Sequence, residues 1–374
     1  MNAPVQPMTA VPFADLHQQY LGLKTEIDGV IADVIANSAF IRGPYVDRFE
    51  SAFADAMGAA HCVSAANGTD TLYIAMHALG AGPGDEVIVP AMSWISTSET
   101  VTQTGATVVF CDIDPISSTI DPVKLAAKIT PRTVGIIPVH LYGQPADMDA
   151  VMALAQQHGL WVIEDCAQSH LATWKGRTVG TIGTIGSFSF YPGKNLGAMG
   201  DAGAAITNDK ALADRMAMFA RHGGLTKGDH QIEGVNSRLD GLQAAILGVK
   251  LPHLRAWTDR RRAIAARYRA ALSGHPSITI PHETAETEAV YHLYVVQTEK
   301  RAELAKHLAD RGVQTVINYP RALPFLPCYD RFGATPADFP VAFALQNQGL
   351  SIPIFAEMTD DQVEFVIAAL LDFA

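Results

Sequence analysis

Two neighbouring stretches carry residues whose types and spacing can do chemistry: WVIEDCAQSH at 161–170 and SFSFYPGKNLGAMGDAGA at 187–204. Asp165 stands at the carboxyl end of the run WVIED, which reads as a strand, and Lys194 lies in a glycine-rich loop after a second strand-like run. In a parallel sheet both would open onto the same edge. A carboxylate buried there can keep a pyridinium nitrogen protonated, and a desolvated lysine amine can condense with an aldehyde. Pyridoxal phosphate needs both, because its charged ring is the electron sink and the lysine is its anchor and proton carrier. Taken singly, a strand-end aspartate is often a turn or cap residue and most lysines are solvated. It is the pair, with its flanking glycines, that points to this chemistry. GTIGTIG at 180–186 is not GxGxxG, and YPGKNLG lacks the GxxxxGK[ST] spacing, so neither nucleotide loop is indicated.

The elements around these residues alternate. Short apolar runs (HCVSAA, EVIVPA, TVVFCDI, VGIIPVHL, WVIED, SFSF, AAITN) are separated by helical patterns at 70–79, 147–158 and 210–219. That rhythm predicts a mostly parallel sheet covered by helices, with ligands outside the carboxyl ends of the strands. Before it, Leu16, Tyr20, Leu23, Ile27, Ile31 and Val34 recur at spacings of three and four, predicting one amphipathic helix from Asp15 to about Asn37. Another helix is expected over 46–57. A long helical stretch over 237–272, strands at SITIP, YHLYVVQ and TVINYP, and helices at 301–311 and after Thr359 follow. Thr359 with Gln362 matches a capping box. Residues 1–11 read as a flexible arm, 12–250 as a large domain and 251–374 as a smaller α+β domain.

With these motifs in view, the chain resembles the sugar aminotransferases related to the DegT/DnrJ/EryC1/StrS proteins. The matching stretches include VPFADLHQQY, FIRGPYVDRFE, NGTDTL, PVHLYGQPADMD, IEDCAQSH, FSFYPGKNLGAMGDAG and GVNSRLDGLQAAIL. The resemblance implies the α/β PLP-transferase fold of aspartate aminotransferase (fold type I), with a mostly parallel mixed sheet. It implies that Lys194 carries pyridoxal 5'-phosphate as a Schiff base, that Asp165 pairs with the pyridine nitrogen, and that Gln168 bonds the ring hydroxyl. Gly68 and Thr69 open a predicted helix whose free N–H groups suit a phosphate, and Ser189 adds a hydroxyl. Trp94 would stack on the ring, and Asn236 would reach the phosphate from the partner subunit of a homodimer with shared active sites. Blander roles stand beside three of these: Trp94 as core filler, Ser189 pointing outward from its strand, and Asn236 as the cap of the next helix.

The reaction so implied moves an amino group from an amino acid, L-glutamate by resemblance, to a nucleotide-linked keto sugar. FYPGKNLGA looks most like the branch that aminates C3 of a keto hexose. Relatives often read HYP and then PLHxQ where this chain has INYP and RALPFLP, placing Asn318 and Pro324 where histidines are common. Two other functions occur on this fold. A pyridoxamine-phosphate sugar dehydratase of this fold replaces the lysine with histidine, so Lys194 counts against it. A non-catalytic sensor of this fold would need a DNA-binding module, which the formal charge of −11 does not support.

That charge argues against nucleic-acid partners, and phosphate groups would have to be held by local N–H donors or cations. The four cysteines show no CxxC or zinc-type spacing, so reduced, mostly buried thiols and no metal are expected. No basic stretch followed by an apolar run opens the sequence, and no apolar segment reaches membrane-spanning length; a cytoplasmic protein without membrane contact is expected.

Overall fold

The computed structural model describes residues 9–373. Seven strands form the main sheet: β1 (His61–Ala65), β2 (Glu86–Pro90), β3 (Thr107–Cys111), β4 (Thr133–Ile136), β5 (Trp161–Asp165), β6 (Ile185–Ser189) and β7 (Gly203–Thr207). Their order is β1-β7-β6-β5-β4-β2-β3. Only β7 runs against its neighbours β1 and β6; the other pairings are parallel. The mixed, mostly parallel α/β sheet expected from the sequence is therefore present.

Residues alternate between the two faces of such a sheet, and both faces are covered. Val87, Val89, Ile163 and Ile185 join one buried cluster, while Ile88, Val162 and Phe188 join another. This explains why the inner strands read as continuous apolar runs. Asp165 and Ser189 share the parity of Ile163 and Ile185. β5 and β6 are parallel neighbours, with Asp165 opposite Ser187, so both strands end on the same edge.

Helices α1 (Leu16–Gly22) and α2 (Lys24–Ala36) replace the single helix expected over 15–37. Leu23, at φ −121°, leaves the helical path, and its N–H closes onto the Tyr20 carbonyl at 3.0 Å. Gly22 weakens the helix there, and the break lets Leu23 pack with Ile27 and Ile246. α3 (Pro44–Met57) follows, with Pro44 in its first turn, where the missing N–H costs nothing. The stretch expected as one helix over 237–272 is also two, Gly241–Lys250 and Leu254–Leu272, joined by a tight turn at Leu251–His253 that contains Pro252.

A third cluster gathers Ile264, Tyr268, Leu304, Leu350 and Val366 around the antiparallel pair β8 (Tyr294–Gln297) and β9 (Gly349–Ile352). The capping box at Thr359 forms as expected. SITIP and TVINYP do not become strands; they make only the isolated bridges Thr279–Gln297 and Val316–Ser351. Ala322, Leu323, Phe339 and Leu345 join the large sheet's cluster, so the unit read over 251–374 packs partly as an extension of the large one. Of the arm read over 1–11, residues 1–8 lie outside the described residues. Val11 is fully buried and exchanges backbone hydrogen bonds with Gly312 and Gln314. Cys111 and Cys166 are buried and Cys328 is exposed, so the expectation of mostly buried thiols holds for only part of the set. No helix among the described residues is long and apolar enough to cross a membrane.

Candidate active site

At the shared edge of β5 and β6 lies a cavity of about 670 Å³. Asp165, Gln168, Ser189, Lys194, Trp94, Gly68 and Thr69 all line it, so seven of the eight residues singled out by sequence meet in one place. Asn236 does not. It is exposed, bridged to Arg221, and it is not a helix cap, because the next helix starts at Gly241 after Asp240.

Asp165 is 5% exposed. Burial raises its carboxyl, against the pull of the Ala167 N–H at 3.2 Å, the Thr97 hydroxyl at 2.9 Å and the Lys194 charge. Thr97 lies on the helix Ser96–Gln103 and is itself held by Ser93 at 2.8 Å. Sequence reasoning missed Thr97; the signal available was the hydroxyl run of PAMSWIST directly after β2. On the opposite face of β5, Glu164 accepts N–H bonds from Gly180, Ile182 and Gly183 and meets the His140 ring at 3.0 Å. With Cys166, His140 and Glu164 bring ligand-type atoms within 4.8 Å of one another. The donors already gathered on Glu164 give that cluster a structural role at the base of the Asp165 strand.

α4 (Gly68–Ala78) begins at the cavity. Asn67 caps it by accepting from the Asp70 N–H at 2.8 Å. The N–H groups of Gly68 and Thr69, in the first turn, have no carbonyl within the helix to meet. A Cβ on Gly68 would come to 2.6 Å from Ser189 Cβ, so only glycine lets the helix start this close to β6. Ser189 is buried beside that start. Trp94 is 59% exposed, which excludes the core-filling role, and its ring lies 5.6 Å from that of Tyr319.

Gln168 is fixed at both ends. Its Oε1 accepts from the Tyr142 N–H at 2.6 Å and its Nε2 donates to the Tyr319 hydroxyl at 2.9 Å. Tyr142 sits at φ +61°, a strained conformation for a tyrosine, and donates its own hydroxyl to the Asn318 carbonyl at 2.5 Å. Asn318 spends its side chain on Ser351 at 2.9 Å, so it is Tyr319, not Asn318, that the INYP segment presents to the cavity.

The family description "DegT/DnrJ/EryC1/StrS aminotransferase family" matches residues 22–371. The chain belongs to this family. It is 44% identical over 96% of its length to 98% of the erythromycin biosynthesis sensory transduction protein EryC1 of Saccharopolyspora erythraea. It is 43% identical over 97% of its length to 96% of the dTDP-3-amino-3,4,6-trideoxy-alpha-D-glucose transaminase of Streptomyces venezuelae. The crystal structure of S. venezuelae DesV in complex with a ketimine intermediate superposes with a TM-score of 0.96 at 42% identity, covering 98% of this chain and 99% of that one.

The protein is a pyridoxal-phosphate-dependent aminotransferase. The donor set suits that cofactor: a buried carboxylate, a lysine on the same cavity, a helix start with free N–H groups, and a serine hydroxyl against it. Lys194 of this aminotransferase is half-buried, and desolvation lowers its amine to about 8 while Asp165 pulls the other way. The neutral, nucleophilic fraction therefore rises with pH, from about a tenth at pH 7 to about nine-tenths at pH 9. Amine labelling of Lys194 in cofactor-free protein, followed peptide by peptide, is expected to rise with a midpoint near pH 8, whereas exposed lysines should rise near ~10.4. A midpoint near the ordinary lysine value would show that the site does not desolvate the amine.

Proposed function

We propose that this aminotransferase moves the amino group of L-glutamate onto a nucleotide-linked keto hexose, at C3, from an active site shared between two copies of the chain. The observation that carries the reading is the convergence of Lys194 and Asp165 on one cavity that also receives the start of α4. In this reading Gly68, Thr69 and Ser189 hold the cofactor phosphate. Gln168 bonds its ring hydroxyl, Trp94 covers the ring face, and Asp165 keeps the ring nitrogen protonated.

Bound pyridoxal phosphate supplies an aldehyde carbon that amines can exchange upon and a ring that takes up the charge left when a carbon acid loses its proton. The chain's residues do the rest. Lys194 anchors the cofactor until the donor amino acid displaces it. Freed, its weakly basic amine would be the group placed to take the proton from the donor's α-carbon and to return one when the acceptor is aminated. Asp165, held by Thr97 and the Ala167 N–H, has both oxygens oriented before the reaction starts, so its negative charge needs no reorganisation when the ring becomes electron-rich.

The acceptor class is supported by the S. venezuelae relative, named for a dTDP-linked 3-amino sugar. The sensor alternative has EryC1's name on its side, but the formal charge of −11 does not suit the DNA-binding module that a regulator of this fold would need. Two features support the shared site. Asn236 is exposed and does not line its own chain's cavity, and exposed Phe40, Ile41, Leu225 and Ile232 offer apolar surface of the kind interfaces cover.

The donor half-reaction needs no sugar. L-Glutamate alone is expected to convert the bound cofactor from its aldehyde to its amine form, read as loss of the yellow absorbance, with 2-oxoglutarate released in equal amount. If glutamate and glutamine leave the spectrum unchanged and another amino acid shifts it, the donor is wrong and the reaction class stands. A spectrum that no amino acid shifts would favour the sensor.

A further inference from the structure

Lys194 is carried by a loop, not by a strand or helix, and something outside the loop has to hold it. The segment 190–198 folds back on itself: the Lys194 N–H bonds the Tyr191 carbonyl at 2.8 Å, and the Ala198 N–H bonds the Phe190 carbonyl at 2.8 Å. A Cβ on Gly197 would run into the Pro192 carbonyl oxygen, so the return limb lies directly against the outgoing one.

The helix Gly241–Lys250 grips that return limb at two points. Gln243 Oε1 accepts from the Met199 N–H at 2.8 Å, and Lys250 Nζ donates to the Gly197 carbonyl at 2.8 Å. Lys250 is 4% exposed and makes no ion pair among the described residues; Glu357 is the acidic group that acts on it from a distance. Burial lowers its amine to about 8. A buried ammonium bonded only to a carbonyl is a costly choice. A methionine of similar length would fill the same space without that cost, so what the lysine adds is its hydrogen bond to the loop.

We propose that Lys250 is a positioning residue: by fixing the Gly197 carbonyl it holds the 190–198 loop in the conformation that turns the Lys194 side chain into the cavity lined by Asp165. This rests on the reading of Lys194 as the cofactor lysine. Lys250 does not touch the cavity itself, so its effect is transmitted through the loop backbone.

The test uses the full chain with Lys250→Met and Lys250→Arg, first free of cofactor and then loaded. Acetic anhydride labelling of Lys194, resolved by peptide, is followed against pH. The wild type should titrate near pH 8. Lys250→Met should move that midpoint up by at least about one unit, toward the ~10.4 of a solvated lysine, as the loop loosens. In loaded enzyme kcat should fall roughly 10- to 100-fold with the KM for the donor little changed, the scale of a misplaced reacting group. Lys250→Arg, which keeps a donor, should restore most of both. Should Lys250→Met fail to fold, Lys250→Gln, with a shorter uncharged amide, carries the same comparison. A folded Lys250→Met or Lys250→Gln protein with an unchanged Lys194 midpoint overturns the proposal, even if it is less stable. Borohydride labelling of the wild type separates the two readings. Cofactor fixed to another lysine overturns the Lys194 reading, and cofactor on Lys194 with an unchanged midpoint in the variant overturns only the role of Lys250.

Discussion

Asp165→Asn is expected to lower kcat at least ~100-fold, the scale of one lost electrostatic element in an active site, while cofactor affinity changes far less. The substitution keeps size and shape. The amide oxygen can still accept from the Ala167 N–H, now at 3.2 Å, and the amide NH2 can donate to the Thr97 hydroxyl, now at 2.9 Å, which then turns its own proton toward Ser93, so the local fold can be kept. What disappears is the negative charge, and with it the means of keeping a ring nitrogen protonated while the reacting carbon loses its proton. The phosphate end of the site, at the start of α4, is untouched, which is why binding should survive. Steady-state kinetics and a cofactor titration on the same preparation check both halves. Turnover near that of the wild type would mean that another acid serves the ring nitrogen.

A second large effect is expected from mixing two dead variants. Lys194→Ala removes the anchoring amine, and Asn236→Asp puts a carboxylate where the phosphate is proposed to be met from the partner copy, so each alone should be inactive. Unfolded together and refolded as an equal mixture, about half the dimers should be mixed. In each mixed dimer one site collects both lesions and the other collects intact Lys194 and intact Asn236. Activity should return to roughly a quarter of wild type, and separately refolded variants should stay inactive. Mixed dimers present without activity would place Asn236 in its own chain's site, and an active Asn236→Asp variant would place it outside the site.

The parts of this structure that could be read from the sequence are those set by local pattern. Apolar runs alternating with helical periods were enough for the parallel sheet, and the carboxyl ends of β5 and β6 were enough to bring Asp165 and Lys194 to one edge. The seven residues that meet at the cavity owe their legibility to motif resemblance and to strand parity. Other features depend on partners far away in sequence. Leu23 breaks a helix that its period would continue, because its side chain is taken up beside Ile246. TVINYP has strand-like residues, but the Tyr142 hydroxyl takes the Asn318 carbonyl and Ser351 takes the Asn318 side chain, and the segment turns Tyr319 into the cavity instead of pairing. Thr97 and Lys250 carry no motif of their own; only the fold shows that one reaches Asp165 and the other reaches the Lys194 loop.

The central claim is that Lys194 carries the cofactor, and one measurement addresses it directly. Purified protein incubated with pyridoxal phosphate should turn yellow, and borohydride should bleach it while fixing one cofactor per chain irreversibly. Digestion and mass mapping should then find the added mass on the peptide containing Lys194 and on no other, including the peptide with Lys250, whose amine is also lowered to about 8. Cofactor fixed to any other lysine, or no chromophore at all, would contradict the account.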